Sequence, residues 1–122
     1  MASSPLLLLV EDDALVRGTL AEALADAGFE VLEAADAETA LHLVAERGDL
    51  AALLTDINLP GADGFVLARA ARRLRPDLPV VYASGRVREA DPRRALPGAT
   101  FLAKPFSLTC AVETLQRAVT PH

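Results

Sequence analysis

One cysteine, Cys110, stands among 122 residues, so no disulfide can form within the chain and a reducing, cytoplasmic location is expected. Only two histidines occur, and neither lies near Cys110 in sequence. The thiol is therefore expected as a small core or half-buried residue and not as a nucleophile. Tryptophan is absent and aromatic residues make up 4% of the chain, too few to interleave with bases along a nucleic-acid surface, and a second recognition helix is missing. No DNA-binding domain is expected in this chain. The start, Met1-Ala2-Ser3-Ser4, has no basic region, and the apolar run from Leu6 to Val10 is far too short for a signal or a membrane span. No repeat, linker or low-complexity stretch interrupts the sequence. Residues 1–122 are expected to form one domain, long enough to bury a core without staples.

Charge is present but unevenly placed. Residues 1–64 carry thirteen acids and two arginines, whereas residues 65–122 carry ten bases and four acids. The arginines at 69, 72, 73, 75, 86, 88, 93 and 94 allow two readings, a basic docking surface or solvated helix faces.

Strand and helix patterns alternate five times. Leu6 to Val10 is an unbroken apolar run, which suits a central strand covered on both faces. After Glu11-Asp12-Asp13, with Asp13 as the cap, the spacing of Val16, Leu20, Ala23, Leu24 and Ala27 predicts a helix that ends at Gly28. Phe29 to Ala34 carries Glu30 and Glu33 and reads as a wetter edge strand. Asp36 caps a second helix with Ala37, Ala40, Leu41 and Val44 inward and His42 outside. Ala51 to Thr55 is a strand that delivers Asp56. A third helix buries Leu67, Ala70, Ala71 and Leu74 and stops before Pro76. Pro79 to Ala83 delivers Ser84. Pro92 and Pro97 leave only one or two turns for a short or irregular fourth helix between Gly85 and Gly98. Thr100 to Ala103 delivers Lys104, and Ser107 caps a last helix with Leu108, Ala111, Val112, Leu115 and Val119 inward. Such alternation implies right-handed crossovers and a parallel sheet between helices, an α/β fold.

Parallel strands place their C-terminal ends along one edge, and here those ends carry Glu11 with Asp12, Asp56, Ser84 and Lys104. Any one of these has an ordinary structural reading, as a cap, a turn residue or a surface lysine. Four coincident strand ends are harder to explain that way. Three carboxylates brought together repel unless a cation sits among them, and a hard, oxygen-ligated Mg2+ suits the set. A hydroxyl and an ammonium beside them can hold the oxygens of a tetrahedral anion. Together these groups describe phosphoryl transfer to an aspartate.

Glu11-Asp12-Asp13 after the first strand, Asp56 before Ile57-Asn58-Leu59-Pro60-Gly61-Ala62-Asp63-Gly64, Ser84-Gly85 after the fourth, and Phe101-Leu102-Ala103-Lys104-Pro105-Phe106 resemble the response-regulator receiver domain over the whole chain. The resemblance implies a flavodoxin-like doubly wound sheet of five strands in the order 2-1-3-4-5. It implies that Asp56 accepts a phosphoryl group from a phosphohistidine on a histidine kinase or phosphotransfer protein. Mg2+ would be held by Glu11, Asp12, Asp56 and the backbone carbonyl of Asn58, while Lys104 and Ser84 read the phosphate. Ser84 and Phe101 would act as switch residues, biasing a surface of the fourth helix, fifth strand and fifth helix toward a downstream protein target. Asn58 and Arg86 occupy the positions that tune attack by water on the phosphoaspartate. A monomer or a phosphorylation-dependent dimer is implied, and no enzyme beyond reactions on its own aspartate.

Glu11 stands where aspartate is more usual, Ser84 where threonine is frequent, and Phe101 where tyrosine is frequent. Phe101 can thus report a switch only through packing. The short segment before the fifth strand is similar to receivers attached to hybrid histidine kinases, so a stand-alone regulator and a receiver from such a kinase are both expected possibilities; an output domain is not expected within these residues. A phosphatase of the haloacid dehalogenase type also uses Mg2+ and an aspartate nucleophile, but its nucleophile follows the first strand in an Asp-x-Asp pattern. A flavin or nucleotide module would need a Gly- or Ser/Thr-rich phosphate loop where the first acidic run stands. The intact acidic set argues against a receiver that binds partners without phosphorylation.

Overall fold

All five residues of β1 (Leu6–Val10) are buried, and their alternation divides the core between two layers. In the computed structural model, which describes residues 4–85 and 94–120, Leu6, Leu8 and Val10 face one apolar cluster with Leu53, Phe65 and Tyr82. Leu7 and Leu9 face the other, with Leu24, Leu54, Val81 and Leu115. Each fully buried leucine contributes roughly 1.5–3 kcal/mol, so β1 contributes substantially to both layers.

The elements that follow are α1 (Ala14–Asp26), β2 (Glu30–Ala34), α2 (Ala37–Glu46), β3 (Leu50–Asp56), the short strands β4 (Asn58–Leu59) and β5 (Ala62–Asp63), α3 (Gly64–Leu74), β6 (Val80–Ser84), β7 (Thr100–Ala103) and α4 (Leu108–Val119). The main sheet is parallel and runs β2-β1-β3-β6-β7, while β4 and β5 form a separate antiparallel hairpin. Counting only the strands of the main sheet, the order is 2-1-3-4-5, as the resemblance implies. Helices α2 and α3 cover one face and α1 and α4 the other.

Each helix starts where a short polar side chain can take up an unpaired backbone N–H. Asp13 accepts from the amides of Leu15 and Val16, Asp36 from Thr39, Asp63 from Val66 and Ser107 from Cys110. The third helix stops at Leu74, two residues before Pro76. His42 is exposed, and β2 forms an edge of the sheet, as expected.

Several apolar expectations need correction. Val16, Ala27, Leu74 and Leu108 are exposed, and Cys110 is exposed where a core or half-buried thiol was expected. In α1 the buried face is Leu20, Ala21 and Leu24, so the stripe is rotated toward Ala21. In α3 the inward residues are Phe65, Leu67, Ala68 and Ala71; Leu74 lies on the final turn, where two arginines fold in instead. Arg72 donates to the carbonyl of Leu78 at 2.6 Å, and Arg75 donates to the carbonyls of Arg47 and Leu50 at 3.2 and 3.1 Å. Those two guanidinium groups tie the end of α3 to the segments that lead into β6 and β3. The expected fourth helix falls largely on residues 86–93, which lie outside the described residues; residues 94–99 form turns.

Candidate metal and phosphoryl site

Backbone hydrogen bonds carry the sheet register one residue past the strands and align their tips. The amide of Glu11 donates to the carbonyl of Ala34 at 3.1 Å, that of Ile57 to Ala83 at 3.1 Å, and that of Lys104 to Ser84 at 2.8 Å. Asp56 closes β3 beside Ala83, and Ser84 closes β6 beside Ala103. The four strand ends therefore meet at one edge because the parallel ladders stay in step there.

Carboxylate oxygens of Glu11, Asp12 and Asp56 lie within 4.8 Å of one another. Glu11 and Asp56 are buried and Asp12 is exposed, so the cluster opens to solvent on one side. Lys104 Nζ lies 2.8 Å from Asp56 Oδ2 and 3.6 Å from Glu11 Oε2. Three carboxylates facing one ammonium leave the site short of positive charge. Burial first, then the hydrogen bond to Asp56 and the charge there, pushes the pKa of Glu11 up to about 7; Lys104 offsets part of this. Burial pulls the Lys104 ammonium down, but the hydrogen bond and charge of Asp56, with Glu11, outweigh it and leave its pKa raised. Hard oxygen donors that are crowded and undercompensated fit a divalent cation such as Mg2+.

Ser84 is buried at the neighbouring strand tip, and Phe101 is half-buried on β7. The Phe101 ring centre is 5.3 Å from that of Tyr82 and 6.3 Å from that of Phe65. Asn58 begins the small hairpin two residues after Asp56, with an exposed side chain. Arg86 lies outside the described residues.

Three contributors had no sequence signal that singled them out. Arg17 Nη1 donates to the carbonyl of Glu11 at 2.7 Å while its Nε pairs with Glu33 at 3.3 Å, fixing the loop after β1. The hydroxyl of Thr55 donates to the carbonyl of Asp56 at 2.9 Å. Gly64 stands so close to β3 that a Cβ there would lie 2.3 Å from the Asp56 carbonyl oxygen. The turn that allows this approach has Pro60 followed by Gly61 at φ 71°, the pairing a type II turn requires.

The sequence pattern of the response regulator receiver domain matches residues 7–116. The chain is 34% identical over 119 residues to the sensor kinase CckA of Brucella abortus (strain 2308), covering 95% of this chain and 13% of that protein. It is 34% identical over 106 residues to the aerobic respiration control protein ArcA of Escherichia coli (strain K12), covering 85% of this chain and 44% of that protein. The chain thus spans less than half the length of these curated relatives. A solved response regulator receiver protein from Sinorhizobium medicae WSM419 has the same fold, with a TM-score of 0.88 at 26% identity over 95% of this chain and 94% of that one.

Proposed function

The chain belongs to the response regulator receiver domain family, and from that premise we propose that residues 1–122 form a single receiver domain in which Asp56 is the phosphoacceptor. The observation that carries this reading is the cluster of Glu11, Asp12 and Asp56 with Lys104 2.8 Å from the Asp56 carboxylate. An oxygen of Asp56 attacks the phosphorus of a phosphohistidine; the P–N bond breaks and its electron pair leaves with the imidazole. The chain's own residues do the positioning. Lys104 and Ser84 hold phosphoryl oxygens, and Glu11, Asp12, Asp56 and the carbonyl of Asn58 hold Mg2+. That cation supplies neutralisation of the charge that gathers on the phosphoryl oxygens. Ser84 and Phe101 carry the resulting switch, and Asn58 and Arg86 tune the attack of water on phosphorylated Asp56.

The donor is a histidine kinase or a phosphotransfer protein. A groove of about 580 Å³ beside Lys104 supports a protein donor, because Leu15, Val16, Phe106 and Leu108 line it and three of them are exposed apolar side chains. Leu15 is 80% exposed, and its grouping with Val16 and Leu108 around one groove is what suits a protein contact. A downstream protein target reads the phosphorylated form. Among the described residues no helix is long and apolar enough to cross a membrane, in keeping with a cytoplasmic signalling role. The phosphatase alternative is not favoured: the acid paired with the ammonium closes the third strand, and the first is followed by Glu11-Asp12.

Labelling with acetyl phosphate tests the reading. One phosphoryl group per chain is expected with Mg2+ and none with EDTA or in Asp56→Asn; equal labelling of the variant overturns it. Turnover of a phosphomonoester would instead mark a phosphatase.

A further inference from the structure

Arg94 ties the segment after Ser84 back onto the loop that carries Asn58. Its Nη2 donates to Asp63 Oδ2, and its guanidinium carbon lies 4.7 Å from the centre of the Phe65 ring. The carbonyl of Arg94 accepts from Arg69 Nη1 at 3.4 Å, and the amide of Leu96 donates to the Tyr82 hydroxyl at 3.4 Å. Ala95, Leu96 and Ala99 pack on the core beneath. Residues 94–99 are thus held by polar and cation–π contacts to α3 and β6 as well as by apolar burial.

Asp63 is committed twice. Its Oδ1 accepts from the amide of Val66 at 2.9 Å and caps α3, while Oδ2 takes Arg94. In the hairpin Asp63 pairs directly with Asn58. The next residue, Gly64, donates its amide to the carbonyl of Ile57 at 2.6 Å, and it stands so close to β3 that a Cβ there would lie 2.3 Å from the Asp56 carbonyl oxygen. A pull on Asp63 therefore reaches the backbone of residues 56–58 through close backbone contacts, with no flexible side chain between.

We infer that Arg94 is a positioning residue for the cation site: through Asp63 it holds the 56–58 backbone in the conformation that binds Mg2+, so occupancy of that site and anchoring of residues 94–99 favour each other. The inference rests on the Mg2+ reading above. Coupling of this kind is reciprocal, so the factor by which Arg94 raises Mg2+ affinity is the factor by which Mg2+ secures Arg94. Both partners are partly exposed, and an ion pair of that kind sets the scale at about two- to five-fold in affinity.

The sign of the effect separates positioning from simple charge. Through space, loss of the Arg94 cation would tighten Mg2+ binding and loss of the Asp63 anion would weaken it. Positioning makes both losses weaken it. The test is Mg2+ titration by calorimetry of the intact chain as wild type, Arg94→Gln, Asp63→Asn and the double variant, with thermal unfolding recorded for each. Asparagine retains a side-chain oxygen for the Val66 amide, so the helix cap survives. The expected result is a two- to five-fold rise in Kd for either single variant, no further rise in the double, and partial recovery in Arg94→Lys. Unchanged or tighter binding in Arg94→Gln overturns the inference, as does strict additivity, or a lowered unfolding temperature with unchanged Kd. A wild-type chain that binds no Mg2+ overturns the site reading itself, and this inference with it.

Discussion

The ammonium of Lys104 is shared between Asp56, at 2.8 Å, and Glu11, at 3.6 Å, so it neutralises the site in part and competes there with any cation. Replacing it by Met keeps the length of the side chain and removes the charge. Lys104→Met should bind Mg2+ about three- to ten-fold more tightly, the scale of one charge pair in a partly screened site. Labelling of Asp56 should slow at least about ten-fold, because one phosphoryl oxygen loses its charged partner. Calorimetry and a labelling time course read the two effects; weaker Mg2+ binding would refute the competition.

Glu11 gives the site a pH dependence whose sign follows from its raised pKa. Its carboxyl ordinarily titrates near 4.5 and in the fold near 7, so between those values the folded state holds a proton that the unfolded chain has released. Stability of the metal-free fold should therefore fall as pH rises through that window and level off above it. Urea unfolding in EDTA at pH 5.5 and pH 8 should show this slope, and Glu11→Gln should flatten it. Mg2+ must displace the same proton, so its affinity should climb with pH up to about 7. Proton release on binding, measured in two buffers of different ionisation heat, checks the second half.

Gly64 makes a prediction with an internal control. A Cβ at Gly64 would meet the Asp56 carbonyl oxygen at 2.3 Å and the Ile57 Cα at 3.0 Å, whereas one at Gly48 would meet nothing within 4 Å. Gly64→Ala must displace backbone and should cost about 1–3 kcal/mol in urea unfolding, with slower labelling of Asp56. Gly48→Ala should be neutral or slightly stabilising. Equal effects from the two would show that the close approach at Gly64 is unimportant.

The five strands of the main sheet and the caps Asp13, Asp36 and Ser107 were legible because each rests on local chemistry: an unbroken apolar run for β1, and Asp or Ser ahead of an apolar-periodic segment for the helices. The cap at Asp63 and the small β4–β5 hairpin were not, because Pro60-Gly61 and Asp63-Gly64 read as one loop. The cluster of Glu11, Asp12, Asp56 and Lys104 was legible because parallel strands force their ends together. Helix faces were less so. The spacing of Val16 and Leu108 is that of core residues, yet these two stand exposed around the groove beside Lys104, and periodicity cannot tell a face turned to the sheet from one turned to a partner. Arg17, Gly64 and Arg94 act through contacts with backbone or with residues distant in sequence, including the 31 positions between Asp63 and Arg94, which no local pattern encodes.

Tyr82 offers the last prediction, through the ring trio it forms with Phe65 and Phe101. Its ring centre lies 4.9 Å from Phe65 and 5.3 Å from Phe101, and its hydroxyl accepts from the amide of Leu96. Because Phe101 has no hydroxyl, Tyr82 is the one member of the trio that can bind the 94–99 segment through a polar atom. Tyr82→Phe keeps all three rings and deletes that bond, which should cost about 0.5–1.5 kcal/mol. The loss should be local: faster amide hydrogen exchange at Leu96 and Ala99, with labelling of Asp56 unchanged. Global acceleration of exchange, or none at Leu96, would show that apolar packing of Leu96 and Ala99 holds the segment without the hydroxyl.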